Sequence, residues 1–238
     1  MPSLSLRTRV LLTSGLVTSV VVVVANVIRP WLQASAGYPW AAASVFAVTM
    51  MIVVITISTH HPFVRFGPAN HVTTSRAALV ALAGALLIEP PTAVIAWWVV
   101  GATAALAALD GLDGWLARQT RLASAFGARF DLEVDALLIL VLSLFVWQHD
   151  KAGAWVLACG LMRYAFVAAG WLLPWMAGRL QPTRRGKSVA VGQFAGLSLA
   201  LAPVVPSLTS DLVSAITLAT LGWSFAIDVR RLWRSKGA

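Results

Sequence analysis

Eight apolar runs divide this chain, and no other feature narrows its fold as much. They cover residues 10–28, 38–58, 77–88, 92–116, 126–147, 152–176, 189–205 and 208–229. Most approach 20 residues, and a helix rising about 1.5 Å per residue needs roughly that many to cross a hydrocarbon core about 30 Å thick. A water-soluble domain of 238 residues has no means of hiding 59% hydrophobic side chains while carrying only 11% charged ones; soluble chains average about half and a quarter. The expectation is an all-α integral membrane protein. The run at 77–88 is short, but residues 73–76 extend it at one end and Glu89, Pro90 and Pro91 close it at the other. Two prolines stop the helix and make a tight hairpin with the next run. The first run follows Arg7 and Arg9 like a signal peptide, yet it is long and lacks a clear small-residue cleavage site, so it reads as a retained span.

The net charge of +9 would suggest nucleic acid in a soluble protein. In a membrane protein it is first tested against the rule that Lys and Arg gather on the cytoplasmic side. Threading the chain from a cytoplasmic N-terminus puts fifteen of the eighteen basic residues inside, leaving Arg29 and Lys151 outside and Arg163 within a span. The basic balance is therefore topology, with both termini cytoplasmic, and no nucleic-acid partner is expected. The stretch from His60 to Ser75, with Pro62, Gly67, Pro68 and Asn70, reads as interfacial. Three regions follow: a two-helix addition at 1–59, an interfacial linker at 60–75 and a six-helix body at 76–238. The lone Cys159 excludes an intramolecular disulfide and a thiolate metal site. His60, His61, His71 and His149 show no ligand spacing and read as interfacial.

Acidic residues number only nine, yet Asp110, Asp113, Asp131, Glu133 and Asp135 fall within one window of 26 residues. A charged side chain near mid-membrane costs about 2.5–3.5 kcal/mol on insertion scales, so such crowding needs a cause. Asp110 and Asp113 are three apart and Asp131 and Asp135 four apart, so each pair shares one helix face. A short polar turn at 119–124 makes the two helices antiparallel neighbours that can aim both pairs at one point. Facing carboxylates repel one another unless hard cations sit between them, and oxygen-only ligands favour Mg²⁺, Mn²⁺ or Ca²⁺ over zinc. Gly111, Gly114, Ala117 and Gly127 are small residues that permit close approach of a neighbouring helix or of a flat ligand. Arg118, one turn beyond Gly114, can neutralise a diphosphate or serve as a cytoplasmic anchor.

Asp110, Asp113-Gly114, Ala117-Arg118, Gly127, Asp131 and Asp135, at this spacing, resemble the complete signature of the CDP-alcohol phosphotransferase family. Pro68, Asn70, Thr73 and Arg76 look like the residues that open the family's first core helix. Gly186, Lys187 and Gln193 are similar to a glycine-lysine motif of the phosphatidylglycerophosphate synthase branch, although Ala190 stands where that branch often has threonine. The resemblance runs from about Pro68 to the C-terminus and leaves the first two spans outside the usual core.

The resemblance implies a six-helix core that moves a phosphatidyl or other phosphoalcohol group from a CDP-alcohol lipid donor to an acceptor hydroxyl. It makes Asp110, Asp113 and Asp131 ligands of two ions, Mg²⁺ or Mn²⁺, with Asp131 also counted as catalytic and Asp135 a further ligand or the general base. Asn70, Thr73, Gly114, Ala117, Arg118 and Gly127 would line the CDP pocket. Arg163, Arg184 and Lys187 are candidates for gripping a phosphorylated acceptor such as glycerol 3-phosphate or an inositol phosphate. Positive-inside anchoring accounts for Arg184, Arg185 and Lys187 equally well. Such enzymes often pair, so a homodimer within the membrane lipids is expected. Two rival readings are a divalent-cation transporter and a non-catalytic scaffold. The acids crowd one membrane end, which argues against a conducting path, and the unbroken signature argues against a scaffold.

Overall fold

A computed structural model describes residues 6–60, 66–120, 124–177 and 183–235. Among these there is no strand, and eight α-helices follow one another: α1 (Leu6–Leu32), α2 (Tyr38–His60), α3 (Pro68–Ala85), α4 (Ala93–Thr120), α5 (Ala125–Gln148), α6 (Leu157–Leu172), α7 (Arg184–Leu201) and α8 (Ser207–Ser235). Each expected apolar run has one of them at its centre, although the runs at 77–88, 152–176 and 189–205 extend past the helix ends into short turns. Six are long and apolar enough to cross a membrane, namely α1, α2, α3, α4, α6 and α8. The other two open on charged turns: α5 carries Arg129, Asp131, Glu133 and Asp135, and α7 carries Arg184, Arg185 and Lys187.

Two boundaries differ from the expectation. α3 starts at Pro68, so the second half of the stretch read as a linker is already helix. Proline suits the first helical position because its φ is pre-set and its missing N–H would have no partner there. Gly67 before it has φ 84°, a conformation open to glycine at little cost. α7 starts at Arg184, five residues before the apolar run at 189–205. Thr183 caps it by accepting a hydrogen bond from the Gly186 amide at 3.1 Å.

The chain forms two compact units, Met1–Asp135 and Ala136–Ala238, with α5 running through the division. In the first unit α3 is the buried element, packed against α2, α1 and α4. α1 turns Leu11, Leu12, Leu16, Val20, Val23 and Val27 outward, as a lipid-facing helix should. Two polar links tie the N-terminal hairpin to α3 and to the turn that follows it. The Tyr38 hydroxyl donates to the Leu82 carbonyl at 3.1 Å, and Glu89 accepts from the Ser35 amide and hydroxyl at 3.0 and 2.7 Å. A buried carboxylate with such donors is stabilised where an orphan would be costly.

In the second unit α7 and α8 lie against each other through small residues. Gly196 presses on Thr217, and the Gln193 amide donates to the Thr217 carbonyl at 2.8 Å. Such packing suits helices in lipid, where close backbone approach replaces the hydrophobic drive. Lys151 donates to the Val205 and Ala202 carbonyls at 2.6 and 3.3 Å, satisfying groups at the C-terminal end of α7. At the other end Arg185 pairs with Asp228 of α8, which offsets the unfavourable placing of a cation at a helix N-terminus.

Candidate active site

The site is built in the first unit from α3, the C-terminal half of α4 and the first turns of α5. Ser124 starts α5 by accepting from the Gly127 amide at 3.0 Å. Phe126, Phe130 and Val134, four apart, are buried, and this apolar stripe orients the helix. Asp131 and Asp135, also four apart, then share a neighbouring face. From α4, Asp110 meets them. One carboxylate oxygen from each of Asp110, Asp131 and Asp135 lies within 4.8 Å of the other two.

Into this cluster reaches Arg76 of α3, whose side chain is only 1% exposed. Its Nη1 hydrogen-bonds Asp131 and stands 3.3 Å from Asp110 Oδ1, while Nη2 hydrogen-bonds Asp135. The planar guanidinium is suited to this fork because its donors diverge in fixed directions. Sequence reasoning had set Arg76 among the helix-opening residues and the cytoplasmic cations without assigning it to the site. The available signal was an arginine about two turns into α3 and directly before the apolar run at 77–88, where a cation is ordinarily paired.

Of the residues expected to line a CDP pocket, Asn70 and Thr73 are buried on α3. The Asn70 amide donates to the Phe66 carbonyl, and the Thr73 hydroxyl to the Ala69 carbonyl at 3.1 Å. Gly127 faces Asn70 directly: a β-carbon there would stand 2.8 Å from the Asn70 oxygen. Phe66 and Phe126 close this corner with ring centroids 6.5 Å apart. The side chains of Asp113, Gly114, Ala117 and Arg118 lie outside the described residues, although the α4 backbone continues through them. Arg163, Arg184 and Lys187 belong to the second unit. Arg163 is part-buried on α6, Lys187 is exposed in the first turn of α7, and Arg184 opens that helix with its side chain outside the described set.

Three convergent carboxylates offer oxygen ligands alone, the donor set of a hard divalent cation. The same chain segment is recognisable at family level. A family model described as CDP-alcohol phosphatidyltransferase matches residues 66–227, more than half of the chain and every element of the site.

The chain belongs to the CDP-alcohol phosphatidyltransferase family. Among curated proteins and solved structures, none matches it significantly. Membership makes the protein an enzyme of the class that moves a phosphoalcohol from a CDP-alcohol to an acceptor alcohol. The match opens at Phe66, where the chain turns into α3, so α1 and α2 stand outside the family's shared part. Arg76 and the three aspartates all fall within it.

Proposed function

We propose that this CDP-alcohol phosphatidyltransferase is a metal-dependent enzyme of phospholipid biosynthesis. Its donor would be CDP-diacylglycerol, its acceptor a hydroxyl of a small alcohol, and its second product CMP. The observation that carries the reading is the convergence of Asp110, Asp131 and Asp135 within 4.8 Å, from two helices that also bear the complete family signature. In phosphoryl transfer, a protein's task is positioning and charge stabilisation, and paired carboxylates on rigid helices suit both.

Asp110, Asp113, Asp131 and Asp135 would hold Mg²⁺ or Mn²⁺. When bound, two such ions supply charge neutralisation at the donor's diphosphate. Asp135 accepts the proton of the acceptor hydroxyl. The acceptor oxygen then bonds to the phosphorus carrying the alcohol, the diphosphate P–O bond breaks, and CMP departs with the electron pair. Asp131 holds its place beside Asp135 one turn away on α5. Asn70, Thr73, Gly114, Ala117, Arg118 and Gly127 would frame the CDP group, with Arg118 balancing phosphate charge.

Arg163, Arg184 and Lys187 would receive a phosphate on the acceptor, which favours glycerol 3-phosphate or an inositol phosphate. The charge asymmetry supports a multi-pass protein of the cytoplasmic membrane with both termini and the reaction on the cytoplasmic side. A homodimer is the proposed assembly. The deciding experiment incubates purified protein with CDP-diacylglycerol, Mg²⁺ and a panel of alcohols, and identifies the lipid product and CMP by mass. Release of CMP with one acceptor supports the assignment. Flux of Mn²⁺ into liposomes without CMP release would replace it with transport.

A further inference from the structure

Arg76 touches Oδ1 of all three aspartates of the cluster. Those three side chains carry a formal charge of −3 among them, and the guanidinium, 1% exposed, faces them from α3. A divalent cation held by the same oxygens needs the positions that the guanidinium occupies.

We propose that Arg76 is the resident counter-ion of this carboxylate cluster and that a divalent cation binds by exchange with it, the two competing for the same oxygens. The proposal rests on reading Asp110, Asp131 and Asp135 as the metal centre. Its physical basis is charge. Three carboxylates close together in a part-buried site repel one another, and a cation is needed at every stage of the cycle. Before metal arrives, Arg76 supplies it. After metal binds, Arg76 and the cation repel, so the guanidinium must leave at least one carboxylate.

A second consequence concerns the donor. A buried guanidinium released from its carboxylates needs another anion, since an uncompensated buried charge is costly. The diphosphate of a CDP-alcohol is a suitable one, because phosphate oxygens accept the same forked hydrogen bonds. Arg76 would thus couple metal loading to donor capture: the cation frees it, and the diphosphate receives it. α3 is suited to hold such a side chain in reach, being the most enclosed helix of its unit and tied to the N-terminal hairpin through Tyr38.

The test measures Mn²⁺ binding to purified protein in detergent by electron paramagnetic resonance, with no nucleotide or lipid substrate present. Thermal unfolding with and without Mn²⁺ is the second readout. Arg76→Gln should bind Mn²⁺ about tenfold more tightly than the unaltered protein, within the usual 5- to 150-fold range of coupled sites. It should melt lower without metal and gain more from Mn²⁺. Equal or weaker Mn²⁺ binding by a monodisperse Arg76→Gln protein overturns the exchange. Should that variant not fold, Arg76→Lys keeps the charge without the fork and must still tighten Mn²⁺ several-fold; unchanged affinity again overturns the proposal. If neither the unaltered protein nor any variant binds Mn²⁺, the metal-centre reading falls together with the exchange.

Discussion

Gly127 on α5 and Asn70 on α3 meet so closely that a β-carbon on the glycine would stand 2.8 Å from the asparagine's side-chain oxygen. Asn70 has little freedom to yield, because its amide is engaged by the Phe66 carbonyl. Adding a methyl therefore pushes the start of α3 away from α5, and Arg76 moves relative to Asp131 and Asp135. Overpacking of this kind costs about 1–3 kcal/mol. Gly127→Ala is expected to lower turnover about tenfold and to depress the thermal midpoint. Asn70→Ala in the same background should relieve part of the structural loss, making the two changes non-additive. Thermal midpoints and kcat/KM for the four proteins check this; strictly additive losses would mean the contact does not set the helix spacing.

Asp135→Asn preserves size and shape while removing the group proposed to take the acceptor's proton. A general base contributes about 10²- to 10⁴-fold, so turnover should fall by that order while folding and CDP-donor binding largely persist. The measurement is CMP release alongside donor binding in the same preparation. Normal turnover by this variant, purified and supplied with metal, would strip Asp135 of its role as base.

The eight helices were legible because apolar runs near the length of a membrane span leave few alternatives, and Pro90 and Pro91 punctuate the chain where α3 gives way to a short turn. The shared face of Asp131 and Asp135 was legible from their four-residue spacing, which fixes a helix face without any knowledge of tertiary structure, whereas the side chain of Asp113 lies outside the described residues. What pattern could not reveal was the distance between helices. Gly127 was open to helix packing or to a flat ligand, and only the placement of Asn70 gives it a specific neighbour. Arg76 was hidden among cytoplasmic cations, since periodicity does not say which carboxylate on a distant helix an arginine meets. The start of α7 was missed because Arg184, Arg185 and Lys187 look like loop charge, whereas the Thr183 cap and the Asp228 partner make a helix turn of them.

Removal of divalent metal should abolish CMP release, with Mg²⁺ or Mn²⁺ restoring it and Zn²⁺ failing to do so, because the cluster offers only hard oxygen ligands. Asp110→Ala and Asp131→Ala should each raise the Mg²⁺ concentration needed for half-maximal rate by about tenfold or more, and Asp113→Ala should weaken metal response and donor binding together. Titrating Mg²⁺ into chelator-treated enzyme reads all three. A half-saturation point unchanged from the unaltered enzyme would remove that residue from the ligand set.

Gly160 on α6 lies against α5 within the second unit, where a β-carbon would come within 2.5 Å of the Leu140 Cα and 2.8 Å of the Ser143 hydroxyl. A flexible side chain can swing aside, but a backbone atom cannot move without carrying its helix. Gly160→Ala should therefore force the two helices apart at a cost of about 1–3 kcal/mol, even though alanine is the better helix former by about 1 kcal/mol. Gly101 on α4 supplies the contrast, since nothing lies within 4 Å of the same added atom. Gly101→Ala keeps the propensity gain without the clash and is expected to leave the thermal midpoint in detergent unchanged or slightly raised. If both variants unfold at the same temperature, close approach at Gly160 is not what joins α6 to α5.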